Sequence, residues 1–230
     1  MGHPRFGDVR AAVRCTVAAA IREQVDAYCF LGDLCNPDSG SAIFRSVELA
    51  LESAFELDCA GINSYWMAGN HDVIEDGSGD TTLSPMRPLS SSSVSATVVE
   101  RATSFDLLDI NGAVHLHFLP FTATSHPYDP EAFLRRIDSR EGRHVVMGHL
   151  AVEGVQPGEE TTEMPRGREV LMPRRMFTED MENCTILNGH YHRQQISTLA
   201  GFRPVHIPGA PARFTFGEGA HNPSYLLVEV

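Results

Sequence analysis

The stretch Met67-Ala68-Gly69-Asn70-His71-Asp72 ends an apolar run, residues 65–68, with a glycine and three polar side chains. Three other runs end alike: Phe30-Leu31-Gly32-Asp33, Val146-Met147-Gly148-His149 and Leu187-Asn188-Gly189-His190-Tyr191-His192. A buried strand fixes where its last residue lies, and glycine permits a sharp turn and close backbone approach. Singly, each ending is weak. Gly-Asp is a common turn, Gly148-His149 alone reads as a strand-end histidine, and Asn and Asp suit plain turns. Jointly, they would line one rim of a sheet with carboxylate, amide and imidazole groups. Ligands of open α/β sheets bind outside the carboxyl ends of the strands, where these groups fall.

Outward from these endings the periodicity changes. Val9, Val13, Val17, Ile21 and Val25 recur at four-residue steps, so residues 8–25 read as an amphipathic helix, and Phe44, Val47, Leu51, Ala54 and Phe55 give a second at 41–57. A short apolar run at 28–31 reads as the strand between them. Further strands are expected at 114–119, 144–147, 185–187, 205–207, 214–216 and 225–230. Helices alternate with buried strands early, and strand and turn dominate the last 45 residues. The expectation is an α/β domain with a mixed sheet system. Residues 77–104, with Ser90-Ser91-Ser92-Ser93, Pro85 and Pro88, and residues 151–173, with five glutamates, read as long polar loops outside the core. His115 and His117 alternate with Val114, Leu116 and Phe118, which suggests a solvated sheet face; His126, His144, His206 and His221 are read as structural. No repeat or linker is visible, so 1–230 is taken as a single domain.

Composition narrows the class. Hydrophobic residues at 42% and charged residues at 21% suit a globular core, and no apolar run reaches the roughly 18–20 residues that span a bilayer. The alanine-rich patch at 18–21 is bounded by charges and reads as helix rather than signal peptide. Five cysteines without C-x-x-C spacing suit a reducing cytoplasm. Eighteen basic against thirty acidic residues, a net charge of −12, argue against a broad basic nucleic-acid surface. An acidic substrate stays open, because carboxylates that hold cations count as negative while their ions attract phosphate.

The strand-end residues suit two divalent cations. Asp33 can bridge two ions, Asn70 offers a neutral oxygen, and His149, His190 and His192 offer ring nitrogens. Nitrogen and oxygen donors without thiolate point to manganese, iron or zinc. His190 and His192, two apart on an extended segment, can face one side. His71 followed by Asp72 gives an imidazole with a carboxylate to orient it.

Gly32-Asp33, Gly69-Asn70-His71-Asp72, Gly148-His149 and Gly189-His190-Tyr191-His192 resemble motifs two to five of the calcineurin-like metallophosphoesterases. The ending is similar to nuclease subunits of double-strand-break-repair exonucleases: residues 206–218 and 225–230 carry that likeness, with Gly148-His149-Leu150-Ala151-Val152-Glu153-Gly154. The resemblance implies a four-layer α/β/β/α sandwich and two divalent ions, manganese first, with iron, zinc or magnesium as alternatives. In it Asp33 bridges, Asn70, His149 and His190 hold the second ion, and His192 serves the first. Hydroxide on the metals attacks phosphorus, while His71, oriented by Asp72, assists the leaving oxygen. Implied partners are a phosphate-ester substrate of nucleotide or DNA-end type and, since relatives of that branch often work as dimers with an ATPase, a homodimer.

Two departures shape the expectations. The family's first motif, D-x-H, is missing, and Met1-Gly2 resembles the pair just after it, so an in-frame strand ending in D-x-H is expected in the upstream nucleotide sequence. Without one, the chain is expected to bind one metal well and to be a weak or altered catalyst, with His3 and Asp8 as nearby substitutes. Repair nucleases of that branch carry a further C-terminal DNA-contacting domain, so processive duplex nuclease activity is not expected of residues 1–230 alone. Three functions compete: a phosphodiesterase on nucleotides or nucleic-acid ends, a small-molecule phosphatase or cyclic-nucleotide phosphodiesterase, and a non-catalytic one-metal module.

Overall fold

The computed structural model describes residues 6–35, 40–74, 76–109, 112–122, 127–137, 142–156, 170–172, 183–198, 203–213 and 222–230. The first four-residue repeat folds as α1, Phe6–Glu23, and the second as α2, Gly40–Cys59. Val13, Val17 and Ala20 of α1 meet Leu49 and Leu57 of α2 in one buried cluster. Strands β1, Ala27–Phe30, β2, Asn63–Met67, and β3, Ala96–Val99, form a parallel sheet in the order β1-β2-β3. Val47, Ala50 and Ala54 of α2 close one face of it against Trp66 and Ala68.

The second sheet contains β4, Thr103–Asp109, β5, Gly112–Leu119, β6, Arg143–Gly148, β7, Cys184–Asn188, β8, Gln195–Ser197, and β9, Val205–Ile207. Its order is β4-β5-β6-β7-β9-β8, with β5-β6-β7-β9 parallel and β4 and β8 antiparallel at the edges. The two sheets meet through Tyr65, Met67 and Val99 on one side and Leu116, Phe118, Val145 and Met147 on the other. Outside the second sheet lies α3, Pro130–Leu134, whose Leu134 packs on Val146 and Ile186. Asp129 caps it by accepting from Glu131 N and Ala132 N, and Pro130 fills the first helical position. Helices, sheet, sheet and helix stack in four layers, as expected.

Three expectations are corrected. Residues 77–104 are not outside the core: Leu83 and Met86 are fully buried, Leu89 is buried, and β3 completes the first sheet. Leu83, Met86 and Leu89 recur every third residue, the repeat of the 3₁₀ helix Ser84–Ser91 that they introduce and occupy. The serines serve the backbone instead; Val98 N donates to Ser90 Oγ and Val94 N to Ser92 Oγ.

Second, His115 and His117 are buried, not solvated. They stack with His144 of β6 on the outer face of the second sheet, where Ser104 Oγ lies 2.7 Å from His117 Nδ1 and Asp106 Oδ1 lies 2.7 Å from His115 Nδ1. Third, residues 225–230 form no strand. Leu226 packs on the inter-sheet core and the Arg143 guanidinium donates to Val230 O. A cavity of about 1430 Å3 is lined by this tail and by β1. The expected strand at 214–216, most of the 151–173 loop, His3, His126 and His221 lie outside the described residues; the flanks of that loop, Val152 and Met172, are buried on the second sheet.

Candidate metal centre

Each of the four glycine-marked endings leaves the carboxyl end of a parallel strand. β1 runs into Gly32-Asp33, β2 into Gly69-Asn70, β6 into His149 and β7 into Gly189-His190. The turns are sharp: Asp33 has φ 61° and His190 φ 70°, left-handed backbone that residues with a Cβ seldom adopt. Glycine is required where these turns meet. A Cβ at Gly69 would strike Asp33 Oδ1 and its backbone nitrogen, and one at Gly32 would strike the His149 ring.

Asp33, His149 and His190 bring one donor atom each to within 4.8 Å of one another. Asn70 Oδ1 joins them, 2.9 Å from His149 Nε2 and 2.9 Å from His190 Nδ1. His149 Nε2 is also 3.1 Å from Asp33 Oδ2. The other nitrogen, Nδ1, lies 2.6 Å from Leu31 O, a pure acceptor, so Nδ1 carries the hydrogen and Nε2 faces the oxygens. Lone pairs of two imidazoles, an amide oxygen and a carboxylate thus converge. That donor set fits a divalent cation of the manganese, iron or zinc kind.

Without a cation, the electrostatics set the two imidazoles apart. Burial pushes the Asp33 carboxyl upward, but His149 outweighs it and holds the group well below the usual carboxylate range. Burial lowers His149, yet Asp33 beside it holds the imidazole above its ordinary value. His190 is pushed down to about 3, by burial first and by His149 next, so it is neutral and ready to donate a lone pair.

The remaining expected residues divide. His71 is exposed at the rim, and its backbone N–H donates to Asp33 Oδ1 at 2.8 Å. His192 is half-buried and lines the cavity without joining the three-residue group. Asp8 is exposed on α1, also outside that group.

Asp72 is a correction. It does not orient His71; its fully buried carboxylate accepts from Asp33 N (2.8 Å), Leu34 N (3.2 Å), Cys35 N (3.1 Å), Gly69 N (2.8 Å) and Thr82 Oγ1 (2.7 Å). Asn70–Asp72 is a 3₁₀ turn, in which adjacent side chains diverge by about 120°, so His71 faces out and Asp72 in. Burial, then Asp33, pushes Asp72 up to about 6 against the pull of its donors, which leaves it ionised at neutral pH.

Asn188 gains a role that its sequence position did not reveal. Its buried amide accepts from Leu150 N and donates to Leu150 O, tying the turn after β6 to the turn after β7. An asparagine ending an apolar run is the signal that could have shown it.

A two-sheet α/β sandwich with cation-ready donors at its strand ends defines the class, a scaffold with a candidate metal centre. The chain matches the calcineurin-like phosphoesterase family over residues 3–194 and belongs to that family. The family implies divalent metal ions. No curated protein matches the chain. Among solved structures it is similar to a dimetal phosphatase from Danio rerio, with a TM-score of 0.51 and 12% identity over 88% of this chain and 78% of that one. At that identity the likeness concerns the fold.

Proposed function

We propose that the chain hydrolyses phosphodiesters of nucleotide or nucleic-acid type, with Asp33, Asn70, His149 and His190 holding a divalent cation. The convergence of their donor atoms around Asn70 Oδ1 carries this reading. When bound, the cation acts as a Lewis acid toward a phosphoryl oxygen and acidifies water. The chain's own groups do the rest. One carboxylate and three neutral ligands leave a divalent ion with net positive charge, which favours a phosphate despite the acidic protein. Leu31 O fixes the tautomer that directs His149 Nε2 inward. The role assigned to His71 is to give a proton to the leaving oxygen, supported by its backbone tie to Asp33 and its exposure at the rim. His192 supplies a nitrogen toward a second cation. The preference for diesters is supported by the resemblance of residues 206–218 and 225–230 to repair nucleases.

The test uses chelated protein reloaded with Mn2+, assayed on bis-p-nitrophenyl phosphate, the matching monoester and a single-stranded DNA oligonucleotide. The expected result is metal-dependent diester turnover that Asp33→Ala abolishes. Preference for the monoester would instead make the chain a small-molecule phosphatase. Turnover no greater than the Asp33→Ala control would leave a binding module.

A further inference from the structure

Asp33 is held in left-handed backbone at the end of β1, and something must keep it there. The Asp72 carboxylate does so through the consecutive amides of Asp33, Leu34 and Cys35. It also accepts from Gly69 N, so one carboxylate ties the Asp33 turn to the Asn70 turn. Four of these five donors are backbone N–H groups, and Thr82 Oγ1, at 2.7 Å from Asp72 Oδ1, is the one side-chain donor among the described residues.

Thr82 grips Asp72 twice. Its backbone N–H donates to Asp72 O at 2.7 Å, so hydroxyl and amide fix both ends of the same residue. Thr82 is itself buried, 2% exposed, and its segment is anchored on either side. Val73 and Thr81 form an antiparallel bridge, and Ile74 N donates to Asp80 O. Glu100 Oε1 accepts from Thr81 Oγ1 and Ser84 Oγ, and Arg87 pairs with both Glu100 and Asp80. Leu83, next in the chain, is fully buried against the first sheet. The hydroxyl is therefore delivered to Asp72 from a fixed frame rather than from a free loop.

From this geometry we infer that Thr82 is a positioning residue, whose hydroxyl holds Asp72 and through it fixes Asp33 and the neighbouring amides in the ligating arrangement. The inference rests on the reading of Asp33 as a metal ligand. It adds a residue outside the four strand-end motifs, drawn from the serine- and threonine-rich segment. A hydrogen bond to a buried charged group is among the stronger ones, so its loss should loosen the Asp33 turn measurably.

Thr82→Val keeps the shape and removes the hydroxyl; Thr82→Ser keeps the hydroxyl. Two readouts on folded protein, checked by circular dichroism, distinguish positioning from packing. Mn2+ affinity by calorimetry should weaken on the order of 10-fold in Thr82→Val and stay within about 2-fold in Thr82→Ser. Amide hydrogen exchange at Leu34 and Cys35 should quicken by a similar factor in Thr82→Val alone. Equal Mn2+ affinity and equal exchange in Thr82→Val and wild type would overturn the inference, as would equal losses in Thr82→Val and Thr82→Ser. If wild type takes up no Mn2+, the metal reading fails, and the exchange comparison alone decides the role of Thr82. If Thr82→Val does not fold, Thr82→Ala and the Thr82→Ser rescue carry the same comparison.

Discussion

The second sheet carries two sets of buried histidines, one within its strands and one just beyond their carboxyl ends. His115, His117 and His144 lie within β5 and β6, where their rings stack and partner one another or β4; His117 Nε2 lies 3.0 Å from His144 Nδ1. His149 follows the end of β6 and His190 follows β7, and their ring nitrogens meet Asn70 Oδ1 and Asp33 instead. Residue type and burial are shared; position differs. Inside a strand the backbone is committed to its ladder, so side chains satisfy each other across the sheet. Beyond the strand end, a glycine turn frees the backbone and several loops direct polar atoms at one point. Burial alone does not mark a ligand.

The largest effect should separate the sets outright. His149→Ala should lower metal-dependent diester turnover by about 10³-fold or more, while His117→Leu leaves it within about 3-fold, as judged by kcat/KM on equal amounts of folded protein. Similar losses in both variants would erase the distinction.

Stability should not separate the two sets in this way. His117→Leu removes the bonds that Ser104 Oγ and His144 Nδ1 make to the His117 ring, and should cost about 1–3 kcal/mol in urea unfolding. His149→Ala in chelated protein takes the same kind of partner from Leu31 O, Asn70 Oδ1 and the Asp33 carboxylate, so its cost should be at least as large. A neutral His117→Leu would mean that the stacked trio contributes little.

Acidification sharpens the comparison. In chelated protein His190 takes its proton only near pH 3, whereas the unfolded chain takes it near 6.5. Between these values the unfolded state binds more protons, so the His190 contribution is intact above about pH 6.5 and is lost as pH falls toward 3. Asp72, pushed up to about 6, acts in the opposite sense as pH falls through that value, but it is common to wild type and His190→Asn. Urea midpoints at pH 7.5 and 4.5 should therefore drop more for wild type than for His190→Asn. Equal drops would refute the low value for His190.

The smallest effect lies far from both sets. The Arg10–Glu52 pair between α1 and α2 spans 3.1 Å but both side chains are over 40% exposed, so Glu52→Gln should change stability by less than about 1 kcal/mol.

Much of the site was legible because glycine-marked strand ends repeat a local pattern that needs no knowledge of packing. Asp33, Asn70, His149 and His190 follow that pattern and converge, and both long helices follow their four-residue repeats. Asp72 was legible as a residue but not as a contact, because the 3₁₀ turn that sends it inward is set by the facing Asp33 loop. Thr82 was hidden in a polar segment where Leu83, Met86 and Leu89 recur at three rather than at two or four, and β3 is a short strand just after a run of serines. His115 and His117 alternate as an amphipathic strand would, and only the overlying layer shows that their face is closed.

Anomalous diffraction from crystals of chelated protein reloaded with Mn2+ tests the central claim most directly. A peak within about 2.0–2.3 Å of His149 Nε2, His190 Nδ1, Asn70 Oδ1 and an Asp33 carboxylate oxygen is the predicted result. A peak held by other residues, or none at these four at saturating Mn2+, would contradict it.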